Sequence, residues 1–206
     1  MIGLNAYIWD LDGTLFDSYG SISSSLVDLA AECGVADTRD EIMIAIKRGA
    51  VSSYLRDLSL RCGKDYAALY QHYREISHSR LDEIALIPGA AETLTALSGA
   101  QHFVYTHRGR STADLLDRLG LTAFFREIVT FERGFRPKPS GEGVVYLVEK
   151  YGLDRAQTAY VGDRPLDILC AKDARVQAIL FLPEDSCVLP TGQEDRIICS
   201  LCELCL

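Results

Sequence analysis

YIWDLDGTLFDS, residues 7–18, decides the fold. Tyr7, Ile8 and Trp9 form an apolar run of the kind that makes a strand buried on both faces. The run stops on Asp10 and Asp12, one residue apart, and Gly13 and Thr14 follow at once. A buried strand that ends on two crowded carboxylates calls for a site that uses both. A turn at Gly13 would break the strand and let both face the same side. An EF-hand loop also opens on spaced aspartates, but Thr14 and Phe16 stand where its further ligands are required.

Downstream of residue 86 the pattern alternates between helix and strand. Helices are expected over 88–97, 111–119, 142–151 and 165–173. Pro88 and Pro165 sit near the starts of two of them, and Gly120 and Gly152 stop two others. Buried-type strands are expected over 102–106, 127–130, 158–161 and 177–181, with a shorter one at 197–198. Strands separated by helices of this length imply an α/β fold, a Rossmann-like parallel sheet with helices on both faces. Gly141 and Gly143 fall where the helix over 142–151 begins, so a loose or displaced start is expected there.

Residues 18–84 differ. No convincing strand occurs, and the stretches 21–33, 39–47, 52–62 and 64–80 carry helical apolar spacing, punctuated by Gly34, Gly49 and Gly63. This segment is expected to be an all-α insertion. The organisation is then 1–17 with 85–206 as the α/β core and 18–84 as a helical domain.

The chain has 206 residues and a formal charge of −8, which disfavours nucleic acid and anionic membrane surfaces as partners. No apolar stretch approaches the roughly 18 residues of a membrane span. The first residues lack the basic-then-apolar pattern of a signal peptide. Seven scattered cysteines argue against a disulfide scaffold and for a reducing cytoplasm. Cys199, Cys202 and Cys205 have metal-like spacing. A closed zinc site wants four ligands, however, and Ser200 with Glu203 fits a capping box at a helix start.

In a parallel sheet, ligands lie outside the carboxyl ends of the strands. Those ends carry Asp10 and Asp12, then Thr106, then Lys138 between Pro137 and Pro139, then Asp163 with Asp167 one helical turn on. Crowded carboxylates ionise at a cost unless a cation answers them, and hard oxygen ligands suit Mg²⁺. A lysine and a hydroxyl suit a phosphate. One aspartate can act as a nucleophile, and a second can shuttle a proton.

The four segments, in this order, resemble the signature motifs of the haloacid dehalogenase-like superfamily. The stretch from Asp10 through Asp12, Gly13 and Thr14 is similar to the first motif and Thr106 to the second. Lys138 is similar to the third, and Gly162 through Asp163 to Asp167 to the fourth. The match spans residues 6–182. The resemblance implies a helical cap inserted after the first motif, with Asp10 as nucleophile and Asp12 as general acid and base. It also implies Mg²⁺ held by Asp10, the Asp12 carbonyl, Asp163 and Asp167, directly or through a neighbouring group. Thr106 and the backbone around His107 would bind the phosphoryl group, and Lys138 would neutralise it. The ring of His107 is a further candidate for substrate contact, and Lys47 and Arg48 are candidates for a second anionic group. The closest likeness is to the phosphoglycolate phosphatase-like branch, which implies a cytoplasmic phosphatase, monomer or homodimer, acting on a small phosphorylated metabolite. The alternatives are a β-phosphoglucomutase-like phosphomutase and a non-catalytic phosphometabolite-binding protein. The mutases typically carry an acidic pair where this chain has Gly162 and Asp163.

Overall fold

The structure, a computed structural model, describes residues 3–109, 111–184 and 186–205. It divides into two compact units, one of residues 1–16 with 86–206 and one of residues 17–85.

In the first unit the strands are β1 (Ala6–Trp9), β4 (Gln101–Tyr105), β5 (Phe125–Val129), β6 (Thr158–Gly162), β7 (Gln177–Phe181) and β8 (Arg196–Ile198). They form a parallel sheet in the order β5-β4-β1-β6-β7-β8. β1 is central, and all four of its residues are buried, which is why its sequence is an unbroken apolar run. Successive side chains then go to opposite faces. Ala6 and Ile8 join Phe103, Tyr105 and Tyr160 in a core closed by α7 (Glu142–Tyr151) and α8 (Pro165–Asp173). On the other face, Tyr7, Trp9 and His102 stack. Trp9 Nε1 donates to His102 Nδ1 at 3.1 Å, and His102 Nε2 donates to the Leu97 carbonyl at 2.9 Å. Leu97 caps the end of α5 (Ala90–Ala96), so a buried, neutral imidazole ties this helix to the sheet.

The helix after Lys138 is neither loose nor displaced. α7 begins at Glu142, and the Gly141 N–H donates to Asp173 Oδ2 at 2.7 Å. A Cβ on Gly143 would lie 2.5 Å from the Tyr105 ring. The glycine therefore marks close packing of helix on sheet, not a weak helix start.

The second unit contains α1 (Tyr19–Glu32), α2 (Arg39–Arg48), α3 (Val51–Cys62) and α4 (Tyr66–His78). Their apolar faces meet in one core that includes Leu26, Leu29, Ile42, Ile46, Leu55 and Leu58. Thr38 and Glu41 form a capping box at the start of α2, and Gly63 ends α3 in the left-handed conformation. A short pair, β2 (Phe16–Asp17) with β3 (Ala85–Leu86), stands where the chain passes from one unit to the other and back. The sequence pattern does not show these two-residue strands.

A short 3₁₀ helix, Leu201–Cys205, follows Ser200. Glu203 Oε1 accepts from the N–H groups of Cys199 and Ser200 (2.8 and 2.9 Å), as a capping residue does. Among the described residues, the one group of three or more potential metal-ligating side chains lies elsewhere, at the carboxyl ends of the strands.

Candidate active site

The turn after β1 is built by its backbone. The Leu11 carbonyl accepts from the N–H groups of Thr14, Leu15 and Phe16, and the Gly13 N–H donates to the Phe16 carbonyl at 2.8 Å. Gly13 has φ +82°, a conformation that β-branched or bulky residues resist. The strand therefore stops at Trp9, and the two aspartates leave it in a tight turn.

Asp10 is 1% exposed. Its Oδ1 lies 2.8 Å from Lys138 Nζ, and its Oδ2 lies 3.6 Å from Arg164 Nη2 with no hydrogen-bond partner among the described residues. Burial pushes its carboxyl above the usual range, against the opposing charge of Lys138. Asp12 takes a different partner: Arg108 Nη2 is 2.6 Å from its Oδ1, and Arg108 Nε is 3.1 Å from Oδ1 and 3.2 Å from Oδ2.

Lys138 has a fully buried side chain, and its Nζ is shared between Asp10 and Asp167 Oδ1 (2.7 Å). Burial alone would discharge it, but the two carboxylates outweigh that and hold it above an ordinary lysine. The rings of Tyr105 and Tyr160 flank the ammonium, with centroids at 5.7 and 5.4 Å. Asp167 Oδ2 accepts from the Arg164 N–H at 3.1 Å, so one side chain both caps α8 and holds the lysine. Asp163 Oδ1 accepts from Thr14 Oγ1 at 3.4 Å. Ligand atoms of Asp10, Asp163 and Asp167 all lie within 4.8 Å of one another. A Cβ on Gly162 would lie 2.4 Å from Asp167 Cβ, so this close approach needs a glycine.

Thr106 is buried at the end of β4. Its hydroxyl accepts from the Arg108 N–H at 3.1 Å, and its own N–H donates to the Val129 carbonyl. His107 Nε2 accepts the Lys138 backbone N–H at 2.8 Å. Lys47 and Arg48 belong to the helical unit and form the last turn of α2, where cations complement the helix dipole. Lys47 Nζ sits 5.1 Å from the Tyr19 ring centroid.

Two arginines were not singled out as functional from sequence. Arg108 and Arg164 each follow a site residue closely, at Thr106 and Asp163, and adjacency was the one available signal. An isolated arginine is normally solvated, whereas Arg164 is 8% exposed here.

Carboxylates gathered at the ends of parallel strands around one buried lysine can receive and transfer a phosphoryl group. Residues 7–181 match the family model of the haloacid dehalogenase-like hydrolases. The chain belongs to this family. It is 35% identical over 183 residues to a phosphoglycolate phosphatase of Agrobacterium fabrum, covering 84% of this chain and 78% of that one. It is 28% identical over 176 residues to pyrophosphatase PpaX of Bacillus velezensis, covering 83% and 80%. A crystal structure from Haemophilus somnus, described as a predicted phosphoglycolate phosphatase, superposes with a TM-score of 0.84 at 22% identity, covering 99% and 97%. The last likeness speaks to the fold. This haloacid dehalogenase-like hydrolase is a phosphoric monoester hydrolase, similar to phosphoglycolate phosphatases.

Proposed function

We propose that this hydrolase is a Mg²⁺-dependent phosphatase of small phosphorylated metabolites, working through an aspartyl phosphate on Asp10. The observation that carries this is the state of the Asp10 carboxylate. One oxygen is fixed by Lys138, while the other, 3.6 Å from Arg164 Nη2, has no hydrogen-bond partner among the described residues and belongs to a three-carboxylate cluster. A buried carboxylate oxygen without a hydrogen bond is costly, and an ion pair at 3.6 Å offsets only part of that cost.

The residues present fit Mg²⁺: the cluster offers only hard oxygens, and magnesium is commonly held by one or two carboxylates plus waters and a phosphate. Asp10, Asp163 and Asp167 would hold it, with the Asp12 carbonyl. When bound, the ion neutralises phosphoryl charge as an electrostatic catalyst.

The chain's own groups do the rest. Lys138 holds Asp10 in place and offsets the negative charge of the phosphoryl oxygens. Asp10 attacks phosphorus as the ester bond to the leaving oxygen breaks. Asp12 gives that oxygen a proton and then takes one from the water that cleaves the aspartyl phosphate. Arg108 aims Asp12 by gripping its carboxylate with two nitrogens. Thr106 contributes hydrogen bonds to the phosphoryl oxygens. The absence of room for a side chain at Gly162 supports a phosphatase over a mutase with an acidic pair there. The seven free thiols suit a reducing cytoplasm.

The test is phosphate release from phosphoglycolate, sugar phosphates, nucleotides and p-nitrophenyl phosphate, with and without Mg²⁺, beside Asp10→Asn. Metal-dependent release that Asp10→Asn abolishes is the expected result. Substantial activity in that variant would end the aspartyl-phosphate route. Lys47→Ala and Arg48→Ala belong in the same series. A raised KM assigns the last turn of α2 to a second anionic group, and unchanged kinetics leaves these residues to the helix end.

A further inference from the structure

Lys138 lies in a turn with little backbone to hold it. Pro137 and Pro139 have no N–H, so the Lys138 N–H is the one backbone donor of the three residues. The turn closes when the Ser140 N–H donates to the Pro137 carbonyl at 3.1 Å. Upstream, the Tyr105 hydroxyl donates to the Arg136 carbonyl at 3.2 Å. The Lys138 N–H itself leaves the turn and reaches a side chain 31 residues away, donating to His107 Nε2 at 2.8 Å.

We propose that His107 is a positioning residue for Lys138: its ring accepts the lysine's backbone N–H and so fixes the point from which the ammonium reaches Asp10 and Asp167. The proposal rests on the phosphatase reading for its catalytic consequence, though not for the bond itself.

The arrangement has three supports. An acceptor at Nε2 requires an unprotonated nitrogen there, and burial, with the Lys138 charge beside it, pushes the imidazole down to about 3. The ring is therefore neutral at ordinary pH and keeps its acceptor. Next, Lys138 Nζ makes two ion pairs, at 2.8 and 2.7 Å, in a space flanked by two tyrosine rings. A four-carbon stem spans that distance in few conformations, so a shift of its Cα reaches the ammonium. Finally, His107 follows Thr106 directly, so one short segment at the end of β4 carries both a phosphoryl-contacting hydroxyl and the anchor of the lysine. With Nε2 accepting, the neutral ring carries its proton on Nδ1, so the bond to the Lys138 N–H also fixes the tautomer.

The experiment compares His107→Ala, His107→Gln, Lys138→Ala and the double variant with wild type. Hydrogen exchange at the Lys138 amide is read alongside steady-state kinetics. Expected are loss of amide protection in His107→Ala and its retention in His107→Gln, whose amide oxygen can accept in the same region. Displacement of about 1 Å at a reacting centre costs roughly 100-fold, so kcat should fall by about 10- to 100-fold in His107→Ala with KM little changed. Gln should recover part of the loss. In the Lys138→Ala background, His107→Ala should cost less than about 2-fold further, because its effect passes through the lysine. Full amide protection in His107→Ala would overturn the proposal. So would additive losses in the double variant, or a loss confined to KM that varies with the leaving group. If wild type releases no phosphate from any ester, the phosphatase reading fails, while amide exchange still decides the bond between His107 and Lys138.

Discussion

Arg108 grips Asp12 with two nitrogens, Nη2 at 2.6 Å from Oδ1 and Nε at 3.1 and 3.2 Å from the two oxygens. The pair is largely buried, with side chains 9% and 18% exposed, so solvent screens it weakly. If Arg108 aims the proton donor, its loss should matter only where the leaving group needs a proton. Arg108→Gln is expected to lower kcat by about 10- to 100-fold on an alkyl phosphate, within the roughly 10²- to 10⁴-fold that general acid–base catalysis supplies. On p-nitrophenyl phosphate, whose leaving group departs as a stable anion, the loss should be much smaller. Equal losses on both would show that Arg108 serves binding or folding instead.

Much of this was legible because the chemistry-bearing residues end strands. Asp10 closes an apolar run, Asp163 follows another, and parallel topology sends strand ends to one edge. Lys138 stood out by its place among the four ordered segments, with two flanking prolines as added support. The partners of these residues were not, since a partner is a tertiary fact. Nothing local says that Arg108 turns back to a carboxylate 96 positions earlier, or that the His107 ring reaches across 31. Gly143 shows the same limit from the other side. As sequence it reads as a weak helix start, whereas its cause is a tyrosine ring on a neighbouring strand.

That packing makes its own prediction. Gly143→Ala would set a methyl 2.5 Å from Tyr105 Cε2, and the Tyr105 hydroxyl donates to the turn that carries Lys138. Helix propensity favours alanine by about 1 kcal/mol, but overpacking a dense core costs about 1–3 kcal/mol. The net expectation is a modest loss of stability with a disproportionate loss of kcat. A variant as stable and as active as wild type would mean that the ring yields freely.

Lys138→Ala should be worse. It leaves Asp10 and Asp167 buried together without the cation that both contact. Removing one partner of a buried ion pair costs about 3–5 kcal/mol. Because a bound cation stabilises the folded state by linkage, added Mg²⁺ should raise the variant's Tm more than it raises that of wild type. A Tm indifferent to Mg²⁺ in both would remove the ion from this cluster.

The helical unit carries a pH-dependent contact of its own. Asp37 Oδ1 lies 2.7 Å from Arg61 Nη2, and Asp37 Oδ2 accepts from the Tyr54 hydroxyl at 2.7 Å. The Arg61 hydrogen bond, with burial opposing it and Tyr54 assisting, holds the Asp37 carboxyl below its usual range. Unfolding restores an ordinary aspartate, near about 3.9, which binds a proton more readily than the folded one. The stabilisation is therefore complete above that value and is lost as pH falls through the lower, folded value. Arg61 is 37% exposed, which limits the contribution to about 1 kcal/mol. Asp37→Asn should accordingly destabilise the protein by about that amount at pH 7, read by urea unfolding, and the gap to wild type should close in acid. A gap that persists unchanged at low pH would assign the loss to the Tyr54 hydrogen bond or to packing, not to the charge.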